Sequence, residues 1–191
     1  MKLLSKRYEE IKQVIKKFFV SYKIKSFPLD PFIICEKLNI VLIKYSTLPT
    51  EIVMNLYYNA SEDAFTFVNN GQRYIYYNDI RIPERIRFSI MHELGHILLG
   101  HLEKSEIAEQ EANFFAAYSL SPTAIIDYFE PEDYMDISRR FYISEECASN
   151  RMEQYLKWKD KGRYSNYSCD EEFLPLFQEY LEGGRMSETK K

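Results

Sequence analysis

The stretch Phe88-Ser89-Ile90-Met91-His92-Glu93-Leu94-Gly95-His96-Ile97-Leu98-Leu99-Gly100-His101 carries all 3 histidines of the chain. Pro83, shortly before it, suits a first helical turn, where the missing N–H would be unpaired anyway. Ile86, Ile90, Leu94 and Ile97 recur at three-and-four spacing and Gly100 offers a stop, so the pattern predicts a helix over Pro83–Leu99. On that helix His92 and His96 stand one turn apart and point the same way. Two imidazoles so placed can hold one zinc ion, each at about 2.0–2.1 Å. Glu93 is swung about 100° round the axis, close to a metal but off the ligand row, which suits a base acting on water. His-Glu-x-x-His on a helix is the metallopeptidase pattern for that reason. Gly95 costs about 1 kcal/mol of helix propensity, which close packing beside the metal would explain.

Two ligands do not complete a site. His101 lies nine residues after His92, about 180° round a continued helix; a turn at Gly100 would redirect it, but the simpler reading is a histidine at a helix C-terminus favoured by the dipole. The segment from Glu106 to Leu120 reads as a second helix with small residues at Ala112, Ala116 and Ala117, able to approach the first closely. Glu109 and Asn113 share one side of it with Ala112 and Ala116. A carboxylate there would complete a His-His-Glu zinc site with water in the fourth position. Glu111 is turned from Glu109 by about 200° and is expected to face solvent, so the geometry favours Glu109 of the two. Both glutamates being solvated is the ordinary fate of helix glutamates.

These two segments resemble the ImmA/IrrE family of zinc metallopeptidases. That family's pattern is His-Glu-x-x-His with a Leu-Gly-His ending, then Glu-x-Glu-Ala-Asn-x-Phe-Ala-Ala, then a Leu-x-Pro close. Here the second part stands as Glu109-Gln110-Glu111-Ala112-Asn113-Phe114-Phe115-Ala116-Ala117, closing with Leu120-Ser121-Pro122. Tyr118, Ser119 and Ser121 depart from the family's usual residues, outside the ligand positions. Asp136-Ile137-Ser138-Arg139-Arg140-Phe141-Tyr142-Ile143-Ser144 resembles the family's downstream segment, and Asp30-Pro31-Phe32 its opening one, so the likeness spans about 28–158. The resemblance implies His92, His96 and Glu109 as ligands of one zinc ion per chain and Glu93 as the general base. It also implies a substrate class, helix-turn-helix repressors encoded on phages or mobile elements and cleaved after a stress signal.

The remaining chain gives context. At 191 residues, 46% hydrophobic and 28% charged, it reads as one ordinary globular domain over 1–182, with 183–191 as a flexible tail. Within that domain 1–27 carries an amphipathic helix, 28–158 the family-like core and 159–182 a C-terminal extension. A net charge of −4 gives no basic footprint for direct nucleic-acid binding. No run approaches the roughly 18 apolar residues of a membrane span, and the first residues hold no signal-peptide core. Cys35, Cys147 and Cys169 form no Cys-x-x-Cys pair and read as free thiols of a reducing cytoplasm. Leu4, Tyr8, Ile11, Ile15, Phe18 and Phe19 make one apolar face, whose common use is packing on the domain.

Asp30-Pro31 predicts a capped short helix, 40–45 a buried strand and 52–57 a further strand. Ala64-Phe65-Thr66-Phe67-Val68 and Arg73-Tyr74-Ile75-Tyr76-Tyr77 flank Asn70-Gly71, a hairpin signal. The resemblance to zincin-like peptidases implies an edge strand beside the metal helix on which extended substrate pairs, and strand 73–77 is expected to be that edge. Helices follow near 122–129, 134–141 and from Ser144 to about Lys159. After a polar loop over 157–168 comes a helix over 170–181 interrupted by Pro175. The sum is an α+β, zincin-like metallopeptidase domain with a small sheet against the metal helix. A cytoplasmic zinc endopeptidase is the expectation, with a transcriptional repressor as protein substrate; nothing in the residues specifies an oligomer. The alternative is a non-catalytic zinc-containing protein-binding module, antitoxin-like or repressor-binding, against which Glu93 argues, since a structural site needs no base.

Overall fold

The computed structural model describes residues 5–59, 61–103, 105–160 and 169–188. Leu4 and most of the expected polar loop, 161–168, lie outside the described residues, as do 189–191. The chain divides into two compact units, Asp30–Ala116 and, separately, Met1–Leu29 with Ala117–Lys191.

The first unit opens where Asp30 accepts a 2.9 Å hydrogen bond from the Phe32 N–H and Pro31 fills the first turn of α1 (Pro31–Lys37). Strand β1 (Ile40–Lys44) follows, then α2 (Thr50–Asn59), β2 (Ala64–Asn69), β3 (Gln72–Tyr77), α3 (Pro83–Leu99) and α4 (Glu106–Leu120), of which residues to Ala116 belong here. Asn70 and Gly71 both adopt positive φ, at 49° and 79°, and so close the β2–β3 hairpin as the Asn-Gly signal requires. The sheet order is β1-β3-β2: β1 runs parallel to β3 and β2 antiparallel to it. Ile75 on β3 is fully buried, and Phe65 stacks on its cross-strand partner Tyr76 with ring centroids 4.9 Å apart.

Three expectations need correction. Strand 73–77 is the centre of the sheet, because the apolar run of β1 pairs along its other side; β2 is an edge. β1 is itself an edge and is only partly buried where a buried strand was expected: Ile40 is buried, Leu42 and Ile43 are half-buried and Val41 is exposed. Residues 52–57 are helical, not extended. Pro49 starts that helix, its carbonyl accepting from Ile52 and Val53, and β3 already has a partner on each side.

In the second unit the helix Ser5–Ser21 buries Ile11, Ile15, Phe18 and Phe19, so its apolar face is a packing face. Phe19 meets Phe173 and Phe177 edge-on at 5.9 and 5.6 Å. Lys12 pairs with the fully buried Asp170 at 2.6 Å, and Asp170 also accepts from the Tyr118 hydroxyl. Helices Thr123–Phe129, Tyr134–Phe141 and Glu145–Asp160 stand where the sequence puts them. Pro175 falls in a 3-10 segment, Asp170–Phe177, and the chain then continues as Gln178–Glu188, helical past the expected tail boundary at 183. The cysteines are free, and burial pushes the Cys35 and Cys169 thiols up to about 12, which makes them poor nucleophiles. No helix among the described residues is long and apolar enough to cross a membrane.

Candidate metal centre

The site lies wholly within the first unit, on α3, the start of α4 and the edge strand β2. α3 begins at Pro83 and is tied by Arg85 to Asp63, which precedes β2, through two bonds of 3.0 and 2.6 Å. α4 begins after Ser105, whose hydroxyl accepts from the Ala108 N–H at 3.1 Å. The two helices touch at backbone range. A Cβ at Gly95 would come within 3.2 Å of the Ala112 Cα and of Phe115 Cβ and Cδ1. The missing side chain at Gly95 allows that approach, since a Cβ there would force α4 to give by a few tenths of an ångström.

The approach brings three side chains together. His92 Nε2 and His96 Nε2 are 3.0 Å apart. The Glu109 carboxylate lies 3.2 Å from the first and 3.5 Å from the second. These are the residues whose donor atoms converge as a metal-holding group among the described residues. Donors at about 2.0–2.1 Å from a tetrahedral metal stand roughly 3.3–3.4 Å from one another, and the separations here, 3.0, 3.2 and 3.5 Å, lie around that value. Proton placement agrees. Asn113 Oδ1 lies 2.9 Å from His92 Nδ1 and can only accept, so the His92 proton sits on Nδ1 and its Nε2 lone pair faces the other donors. Two nitrogens and a carboxylate so crowded fit a cation between them.

Glu93 is 8% exposed and leans the other way, toward β2, where the Thr66 hydroxyl donates to its Oε2 at 2.7 Å. Burial raises its carboxyl above the usual carboxylate range. The Thr66 bond and the nearby His92 act against that, and the Glu109 charge adds to it. A carboxylate of raised proton affinity beside a metal pocket is equipped to take and return a proton.

Glu111 and His101 depart from expectation. Glu111 is 5% exposed where a solvated side chain was expected, with Oε2 3.0 Å from His101 Nε2. His101 Nδ1 in turn lies 2.9 Å from His96 Nδ1. The helix does not continue past Gly100, and the turn that the sequence left open is the one the chain takes. Gly100 takes the left-handed conformation, φ 73°, and the His101 N–H bonds the His96 carbonyl while that of Gly100 bonds Ile97. This Schellman turn folds the His101 ring back onto His96. Thr66 is the other contributor that sequence reasoning passed over; its alternation on β2 marked a face of the strand but not the helix opposite.

No curated protein sequence matches the chain. A family model, described as the IrrE N-terminal-like domain and defining a family of peptidases, matches residues 35–153, more than half of the chain and all of the site. A mixed α+β domain with a three-stranded sheet and a His-His-Glu cluster on two touching helices is consistent with that match, and the chain belongs to the IrrE N-terminal-like peptidase family.

Proposed function

We propose that the chain is a zinc-dependent endopeptidase, holding one zinc ion through His92, His96 and Glu109 and using Glu93 as its general base. The observation that carries the reading is the convergence of those three donors beside a buried glutamate held by the edge strand. A zinc ion there would supply Lewis acidity, polarising a scissile carbonyl and acidifying a water molecule. The chain's own groups do the rest. Asn113 fixes the His92 ring through Nδ1, and Thr66 fixes one oxygen of Glu93. The other carboxylate oxygen takes the proton of the attacking water and returns it to the leaving amine. β2 presents an edge next to Glu93, so an extended substrate segment pairs there by strand addition, taking over the part first assigned to 73–77.

The substrate class we propose, a helix-turn-helix repressor, is supported by the family resemblance of the two metal segments. Glu93→Gln tests catalysis against mere binding. In a peptidase it abolishes cleavage of the repressor and leaves zinc content intact. Undiminished repressor inactivation by that variant would establish the binding-module alternative.

A further inference from the structure

Behind His96 the structure holds a chain of contacts that neither the ligand set nor the general base requires. His96 Nε2 faces His92 and Glu109, and its Nδ1 lies 2.9 Å from His101 Nδ1. His101 Nε2 then lies 3.0 Å from Glu111 Oε2. We propose that His101 and Glu111 are positioning residues, a relay that fixes the tautomer and ring orientation of His96 for the metal. The proposal rests on the metal-centre reading above.

The proton arrangement follows from the partners alone. With Glu111 ionised its carboxylate only accepts, so His101 carries its proton on Nε2 and donates to Glu111. Its Nδ1 is then bare and must accept, and the only proton available at 2.9 Å is on His96 Nδ1. A neutral His96 with its proton there presents a lone pair at Nε2, the form a ligand needs. One consistent direction thus runs from His96 through His101 to Glu111. Both nitrogens of His101 are engaged, which removes it as a ligand itself. The two ligand histidines are therefore held differently: His92 by a neutral amide oxygen, His96 by an imidazole backed by a carboxylate. The second arrangement makes the ligand more basic as well as fixed in place.

The turn at Gly100 and the burial of Glu111 are what the relay needs. Without the first, His101 would point away from His96, and a solvated Glu111 would not select one tautomer.

The test uses the purified full chain and zinc, with a chromophoric chelator as competitor. His101→Ala and Glu111→Ala should each weaken zinc binding by about 10–100-fold, as losses behind a ligand do. The double variant should be no weaker than the worse single, because the residues act in series. Glu111→Gln, which keeps an acceptor, should recover part of the loss. Unchanged affinity in both single variants, or additive losses in the double, would overturn the relay. A second readout needs no variant. With three histidines in the chain, ring 15N spectra of the wild type should show His101 as the Nε2–H tautomer and His96 as Nδ1–H. His101 protonated on Nδ1 instead would overturn the proposal. The tautomer experiment reads on metal-free protein too, so a wild type that takes up no zinc would refute the metal centre while the spectra still decide the relay.

Discussion

Gly95→Ala probes the feature that assembles the site, the backbone approach of α3 and α4. A Cβ there would lie 3.2 Å from the Ala112 Cα and equally close to Phe115 Cβ and Cδ1. Two of these three atoms are main chain or directly attached to it, so neither can swing aside; α4 must shift by a few tenths of an ångström. Overpacking of that kind costs about 1–3 kcal/mol. Alanine returns about 1 kcal/mol of helix propensity, leaving a net destabilisation of roughly 0–2 kcal/mol. The larger consequence falls on the site. Glu109 sits one turn before Ala112, and the same shift moves its carboxylate away from His92 and His96, now 3.2 and 3.5 Å off. Urea unfolding of metal-free protein measures the first effect and zinc competition the second. The expected result is a small stability loss with a clear loss of zinc affinity. A variant about 1 kcal/mol more stable, with zinc affinity unchanged, would refute the claim that this contact sets the ligand geometry.

Two further outcomes are expected. Val68→Glu on the exposed part of β2 should raise the KM for an extended peptide substrate with zinc content unchanged, and equal KM would remove β2 as the substrate edge. Acid should loosen the start of α3: Arg85, first through its hydrogen bonds, holds the Asp63 carboxyl below the usual carboxylate range. A carboxyl depressed in the folded state stabilises above its unfolded value of about 3.9 and loses that contribution as pH falls through the folded value. Thermal unfolding followed below about pH 4 should therefore show a steeper pH dependence in the wild type than in Asp63→Asn; parallel curves would contradict it.

What the sequence disclosed was local. Pro83, the apolar stripe and Gly100 all lie within or beside α3, so its bounds and the facing of His92 and His96 were readable from periodicity. Asn70-Gly71 specified its own turn through two positive φ angles. Glu109 was reachable because the small residues at 112 and 116 marked the side that meets Gly95. Strand order was not readable, since β1 and β3 pair in parallel across the intervening residues 45–71 and nothing in either run records its neighbour. The β-prone residues Ile52, Val53 and Tyr57 suggested a strand, but Pro49 initiates a helix and the sheet offers β3 no further side. The burial of Glu111 and the contact of His101 with His96 were not legible for one reason. A helical wheel assigns directions along a continuing axis, whereas the left-handed Gly100 sends the chain back and gives Glu111 a buried partner.

Bound metal, measured by elemental analysis on the wild type and on Glu109→Ala, tests the central claim most directly. The account predicts about one zinc per chain in the wild type and none retained by Glu109→Ala, with both proteins folded. A wild type that holds no zinc after it is added back, or a Glu109→Ala variant that keeps it, would contradict the centre described here.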